Sequence, residues 1–141
     1  MAVESQWIAI QQKRKRTALI LLDTNALIWL QARHRRSRPL SRWMGHVYIS
    51  PANLLEVQFL LEAQHIRLRS GARIDHLVDD QRWLLDDPPA AAWFSVAREL
   101  TWTRDPFDRL LAAHAQYRGW KLATGDGHLM EQLGPNEVIE L

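Results

Sequence analysis

The sequence predicts a three-layer α/β/α domain built on a mostly parallel sheet of about five strands, and three observations carry that expectation. Short apolar runs (ALILL, VYI, WKLAT and EVIEL) alternate with longer stretches that carry helix signals. The first run, Ala18 to Leu22, is continuously apolar and stops at Asp23, as a central parallel strand buried on both faces does. At 141 residues and 47% hydrophobic content, the chain suits one core of ordinary domain size.

Taken in order, residues 1–16 show no helical or strand period and end in KRKR, so they read as a basic, disordered extension, with the domain spanning 17–141. After the first strand, Leu27, Ile28 and Leu30 fit a helix from Thr24 to about Arg33. The basic, Pro-containing stretch from Arg35 to Leu40 ends it. Val47 to Ile49 is a second strand, and Ser50-Pro51 supplies a cap and a first-turn residue for a helix to about His65. A helix is expected from Arg73 to Leu85, broken by Asp86-Asp87-Pro88-Pro89. Ala90 to Val96 mixes strand and helix signals and reads as a short edge strand feeding a short helix. Pro106 to Arg118 is the clearest helix, with Asp105 as cap, Pro106 at the first position and Gly119 just past the end. WKLAT and EVIEL supply the last two strands.

The net charge is only +2, but nine of the eighteen Lys and Arg residues lie between Gln11 and Arg42, where Asp23 is the only acid. KRKR (Lys13 to Arg16) and RHRRSR (Arg33 to Arg38) could meet phosphates of a nucleic acid, or could be a solvated tail and loop. The absence of Cys excludes a disulfide scaffold, Cys-ligated zinc, iron–sulfur clusters and a thiol nucleophile, and makes the cytoplasm the expected compartment. No apolar run is long enough for a membrane span. G-x-S-x-G, P-loop and G-x-G-x-x-G patterns are missing, and DTN lacks the second Asp of a DxDxT start.

The topology gives four scattered acids one address. In a parallel α/β sheet, strand C-termini and helix N-termini share a rim. Asp23 ends the first strand, Glu56 lies early in the helix after VYI, Asp108 is in the first turn of the helix before WKLAT, and Asp126 follows that strand. Crowded carboxylates raise one another's pKa unless a hard cation neutralises them, which points to Mg²⁺ or Mn²⁺. Each acid also has an ordinary explanation: Asp105 and Asp108 as cap and helix-dipole partners, Asp126 as a turn residue, Asp23 as a helix start and Glu56 as a helix-border residue. Four such coincidences at one rim favour a site. The six His residues lack metal-ligand spacing; His114 reads as structural and His128 as solvent-facing.

LLDTNALIWL, ISPANLLEV, TRDPFDRLLAAHA and LATGDGHL together make the chain resemble the PIN-domain family, and within it the VapC-type toxin ribonucleases, over Thr17 to Leu141. The resemblance implies a PIN-like fold and a metal site formed by Asp23, Glu56, Asp108 and Asp126, bordered by Thr24, Asn25 and Thr124. Asp105 would be an auxiliary ligand or helix cap. It implies a Mg²⁺- or Mn²⁺-dependent endoribonuclease, the toxin of a toxin–antitoxin pair, whose RNA products carry a 5′ phosphate and a 3′ hydroxyl. Arg35, Arg36 and Arg38 are candidate RNA contacts. A homodimer, silenced by a cognate small antitoxin, is the expected assembly. The alternatives are a non-catalytic RNA-binding module of the same fold and a PIN nuclease of RNA processing. Residues 1–16 and the stretch from Asp86 to Val96 depart from the family pattern.

Overall fold

The computed structural model describes residues 18–68 and 72–141. The expected basic extension at 1–16 lies outside the described residues. Five strands form one sheet: β1 (Ile20–Leu22), β2 (Val47–Ile49), β3 (Leu84–Leu85), β4 (Lys121–Thr124) and β5 (Val138–Glu140). Their order is β3-β2-β1-β4-β5, and every pairing is parallel. The chain moves outward from β1 to β3 and then returns to the opposite side of β1 as β4. The β1/β4 seam is therefore the topological switch point, where open α/β sheets leave a crevice beyond their strand C-termini.

The period-2 alternation of β1 sorts its side chains onto the two faces. Ile20 and Leu22 join Val47, Ile49 and Ala123 under α1 (Thr24–Gln31), α2 (Pro51–Glu62) and α3 (Ile74–Val78), whose Leu27, Val57 and Leu77 complete that cluster. Leu21 and Leu122 face the other way, under α4 (Ala90–Glu99), α5 (Pro106–Arg118) and α6 (Gly127–Leu133), against Trp93, Leu111 and Leu129. Ile20, Leu21 and Leu22 are all fully buried, which is why this strand reads as an uninterrupted apolar run.

Helix starts at the rim are capped by short polar side chains. Asp23 accepts from the Ala26 amide (2.7 Å), and Ser50 and Asn53 form a reciprocal box at α2. Asp105 accepts from the Phe107 and Asp108 amides, and Asp126 from those of His128 and Leu129. Gly119 ends α5 at φ 71°, a left-handed position that suits glycine.

The structure corrects two sequence expectations and adds two elements to them. The helix expected from Arg73 to Leu85 is only Ile74–Val78. Arg82 then folds back on Asp80 (2.7 Å) and reaches the Leu30 carbonyl, and the buried Trp83 donates to the Leu77 carbonyl, so the chain turns and Leu84–Leu85 pairs with β2. The edge strand expected within Ala90 to Val96 is absent. All of Ala90–Glu99 is helical, because Trp93, Ala97 and Leu100 make a helix-spaced buried stripe and the alanines favour the helix. The basic stretch after α1 is a 3-10 helix, Arg35–Trp43, anchored by buried Ser37 and Leu40. Helix α6 was not anticipated; it is short, begins at a glycine and owes its start to the Asp126 cap.

Candidate active site

A cleft of about 180 Å³ opens at the switch point, lined by Asp23, Thr24, Asn25, Glu56, Leu60, Asp108, Leu111, Asp126 and Leu129. The four acids come from four places in the chain, and the fold delivers each separately. Asp23 is tied down first: it directly follows β1, its amide donates to the Ala123 carbonyl of β4 (3.0 Å), and its carboxylate caps α1. It is 5% exposed. Asp126 follows β4, and its amide donates to the Thr124 hydroxyl (3.0 Å) while its carboxylate caps α6. Thr124 is fully buried and its hydroxyl lies against Asp23, favouring the ionised carboxylate.

Glu56 and Asp108 enter from the two flanking helices. Glu56 sits one turn into α2, against the Thr24 hydroxyl. Asn53 sets its position, a residue that sequence reasoning missed. The fully buried Asn53 accepts from the Ser50 amide (2.7 Å) and donates to the Leu22 carbonyl and the Thr24 hydroxyl (both 3.2 Å), pinning the start of α2 to the end of β1. The Ser50-x-x-Asn53 spacing carried that signal. Asn53→Leu is expected to cost about 2–3 kcal/mol by leaving buried groups unpaired. Urea denaturation measures that loss, and an unchanged midpoint would show that the contacts carry no weight.

Electrostatics mark the cleft as a place that resists its own charge. Burial first, then the charge of Asp126, pushes Asp23 up to about 6, despite hydrogen bonds from Thr124 and Ala26. Asp108 is pushed up to about 7, by burial and then by the charges of Asp105, Asp126, Glu56 and Asp23. Glu56 is raised by burial and by Asp105 and Asp23. Among the described residues, no three His, Asp or Glu side chains form a ready-made ligating cluster. The carboxylates ring the cleft rather than converge on a point. A donor set of separated hard oxygens with room between them fits Mg²⁺ or Mn²⁺, which keeps several waters and needs only one or two direct carboxylates.

The remaining candidates are distributed unevenly. Thr24 and Asn25 line the cleft. Asp105 lies outside that lining, exposed and engaged as the α5 cap, though its charge reaches Glu56 and Asp108. Asp105→Asn is expected to keep most stability and activity, because Asn caps nearly as well, while Asp108→Asn loses activity with the fold intact. The reverse pattern in paired melting and cleavage assays would exchange their roles. Arg36 reaches the rim and lowers the pKa of Asp23 through its charge. Arg35, Arg36 and Arg38 are all exposed and none of them lines the cleft; Arg36 lies against Gly125 beside it, while Arg38 borders a separate hollow with Leu30, Arg33 and Met44.

His114 is fully buried away from the cleft, its Nε2 2.7 Å from Asp86, which Arg118 also grips at 2.8 and 3.1 Å. Burial holds its pKa down against the pull of Asp86, so the neutral ring donates from Nε2. Burial opposes ionisation of Asp86, but the bonds from Arg118 and His114 outweigh it. This is a structural tie, as expected for His114. Of the aromatic residues, Trp29 lies over Gly125 at the rim, while Trp43 packs on the α1-side core. Trp102 meets His128 edge-on at 5.6 Å, beside Asp126.

A parallel three-layer α/β domain with carboxylates around its switch point is the class of protein that this geometry defines. The chain belongs to the PIN domain family, whose model matches residues 20–133. It is 29% identical over 125 residues to Ribonuclease VapC22 of Mycobacterium tuberculosis, an alignment covering 84% of this chain and 95% of that protein. Its fold matches VapBC2 from Rickettsia felis, solved bound to a promoter DNA fragment, with a TM-score of 0.60 at 19% identity, covering 86% of this chain and 97% of the other. A toxin–antitoxin complex from Klebsiella pneumoniae matches with a TM-score of 0.59 at 20% identity, over 86% and 99% of the two chains. No helix among the described residues is long and apolar enough to cross a membrane.

Proposed function

We propose that this chain is a divalent-metal-dependent endoribonuclease of the VapC type, the toxin of a toxin–antitoxin pair, with residues 17–141 as its single catalytic domain. The observation that carries the reading is the arrival of Asp23, Glu56, Asp108 and Asp126, from four separate elements, at one cleft on the β1/β4 switch point. The ribonuclease name of the M. tuberculosis relative supports the substrate class.

Asp23, Glu56, Asp108 and Asp126 would hold Mg²⁺ or Mn²⁺. When bound, the ion supplies a water of lowered pKa and stabilises negative charge on the phosphate and the leaving 3′ oxygen. Asp23 is fixed by its cap bond and its link to β4, so it presents a rigid oxygen at the cleft floor. Thr124 favours the ionised form of Asp23 and Thr24 that of Glu56, each partly offsetting the cost of burial. Asp108, crowded by the charges of Asp105, Asp126, Glu56 and Asp23, would give its oxygens to the ion from the α5 side of the cleft. Leu60, Leu111 and Leu129 narrow the cleft around the acids. The exposed Asn25 stands at its mouth, where a backbone phosphate would arrive.

The partners follow from the relatives that share the fold. The K. pneumoniae structure is a toxin–antitoxin complex, and a small cognate antitoxin covering the cleft is the partner proposed for this chain. Exposed Leu55, Phe59 and Phe94, each about half accessible, leave apolar surface for protein contacts, including those of a homodimer. The proposed compartment is the cytoplasm. Cleavage of labelled RNA and of single-stranded DNA of the same sequence, with Mn²⁺ present, tests the substrate class. RNA is expected to be cut and DNA spared, and equal cleavage of both would remove the ribonuclease assignment.

A further inference from the structure

Arg36 is held in place far more firmly than an exposed arginine needs to be. Its guanidinium lies 4.1 Å from the centre of the Trp29 ring, and Trp29 in turn stacks on His34. Its Nη2 donates to the Leu141 carbonyl at 3.1 Å. That same nitrogen and the Trp29 ring close over Gly125: a Cβ there would meet Arg36 Nη2 at 2.6 Å and Trp29 Cη2 at 2.7 Å. Gly125 is not one of the positive-φ glycines, which are Gly45, Gly119 and Gly134. Its backbone would accept alanine, so close approach is the reason for glycine at this position. Gly125 directly precedes Asp126, and the charge of Arg36 is felt at Asp23. The fold therefore brings a planar cation to the edge of an acid-lined cleft and clears room for it in the backbone.

We propose that Arg36, laid on Trp29 and packed against the flat face of Gly125, is the phosphate-positioning residue at the edge of the cleft, gripping an RNA backbone phosphate next to the one cleaved. The proposal rests on the ribonuclease reading and deepens it. A guanidinium laid on an indole loses little freedom when it binds, and its remaining N–H groups keep the fork geometry that suits phosphate oxygens. A cation at this edge also gives the polyanion a place to land beside carboxylates that would repel it. Trp29 and Gly125 act through Arg36: the ring supports it and the glycine admits it. All three arginines of this 3-10 helix are exposed and stand outside the cleft lining, but Arg36 is the one laid on Trp29 and brought against Gly125, next to Asp126, so the proposal singles out one arginine of three.

The test uses the full chain and a short labelled single-stranded RNA of mixed sequence. Binding is read by fluorescence anisotropy in the Asp23→Asn background at several salt concentrations, and cleavage by single turnover in the otherwise native protein with Mn²⁺. Arg36→Ala is expected to weaken binding about tenfold and to reduce the slope of log affinity against log salt by about 0.7, the share of one phosphate contact on a single strand. The loss falls on affinity rather than on the rate at saturating RNA, and Arg36→Lys restores only part of it. Gly125→Ala, which displaces the guanidinium, gives the same loss, and the double variant is no worse than either single one. Arg35→Ala weakens binding less than Arg36→Ala. If native protein cuts RNA while Arg36→Ala binds as tightly with an unchanged salt slope, this inference falls and the nuclease reading stands. A lower saturating rate at unchanged affinity would likewise overturn it, placing Arg36 in service of Asp23. Native protein that neither binds nor cuts RNA would remove both.

Discussion

Asp23→Asn is expected to lower RNA cleavage at least about a hundredfold while leaving the protein folded and, without divalent cation, more stable than the native chain. Removing a group that merely supports a metal ligand costs about 10–100-fold, so loss of a carboxylate at the cleft floor should reach or exceed the top of that range. Stability moves the other way because Asn retains the cap to the Ala26 amide but carries no charge. Raising a carboxyl from 3.8 to about 6 costs the ionised fold about 3 kcal/mol. Relief of about 1–2 kcal/mol, a few degrees in melting temperature, is therefore the expected gain near neutral pH. A variant that is both inactive and less stable would recast Asp23 as a structural residue.

The second large effect is a stabilisation by cation that depends on pH. Asp23 and Asp108 have folded pKa values raised to about 6 and about 7 from an ordinary 3.8. Groups shifted in this direction contribute stability that is fully present below the ordinary carboxylate range and is lost as pH rises through 6 and then 7. The protein should therefore melt at lower temperature at about pH 7.5 than at about pH 5.5, in buffer with chelator. Millimolar Mn²⁺ is expected to add about 3–8 °C at the higher pH, through preferential binding to the folded chain. At the lower pH, protons compete for the same carboxylates and the increment shrinks. Equal increments at both values, or none at either, would mean that the cleft acids do not hold the ion.

The sequence reveals the parts of this fold whose local and global preferences agree. β1 declares itself because Ile20, Leu21 and Leu22 are all buried. Helix α5 is equally plain, since Asp105, Pro106 and Gly119 fix both its ends. β3 was hidden because two residues, both exposed at the sheet edge, leave no period to read, and because the Arg82–Asp80 pair and the Trp83–Leu77 bond that shape its approach are tertiary contacts. Helix α4 was misread because WFSV suits either state and only the partners of Trp93 and Ala97 decide between them.

In the candidate site, the acids were legible because a parallel α/β rim is a consequence of topology alone. The residues that position them were less so. Asn53 is one of several polar residues of its helix, with Glu56, Gln58 and Glu62, and its role depends on the Leu22 carbonyl, 31 positions away in the chain. The separation of Arg36 from Arg35 and Arg38 depends on the space above Gly125, which no spacing rule contains.

The most direct test of the acid cleft as the seat of metal-dependent hydrolysis is the chemistry of the RNA ends produced by native and Asp23→Asn protein with Mn²⁺ and with chelator. Native protein with Mn²⁺ is expected to leave 5′-phosphate and 3′-hydroxyl ends, and chelator or Asp23→Asn should abolish them together. Products ending in a 2′,3′-cyclic phosphate, or cleavage that survives in Asp23→Asn, would contradict the account.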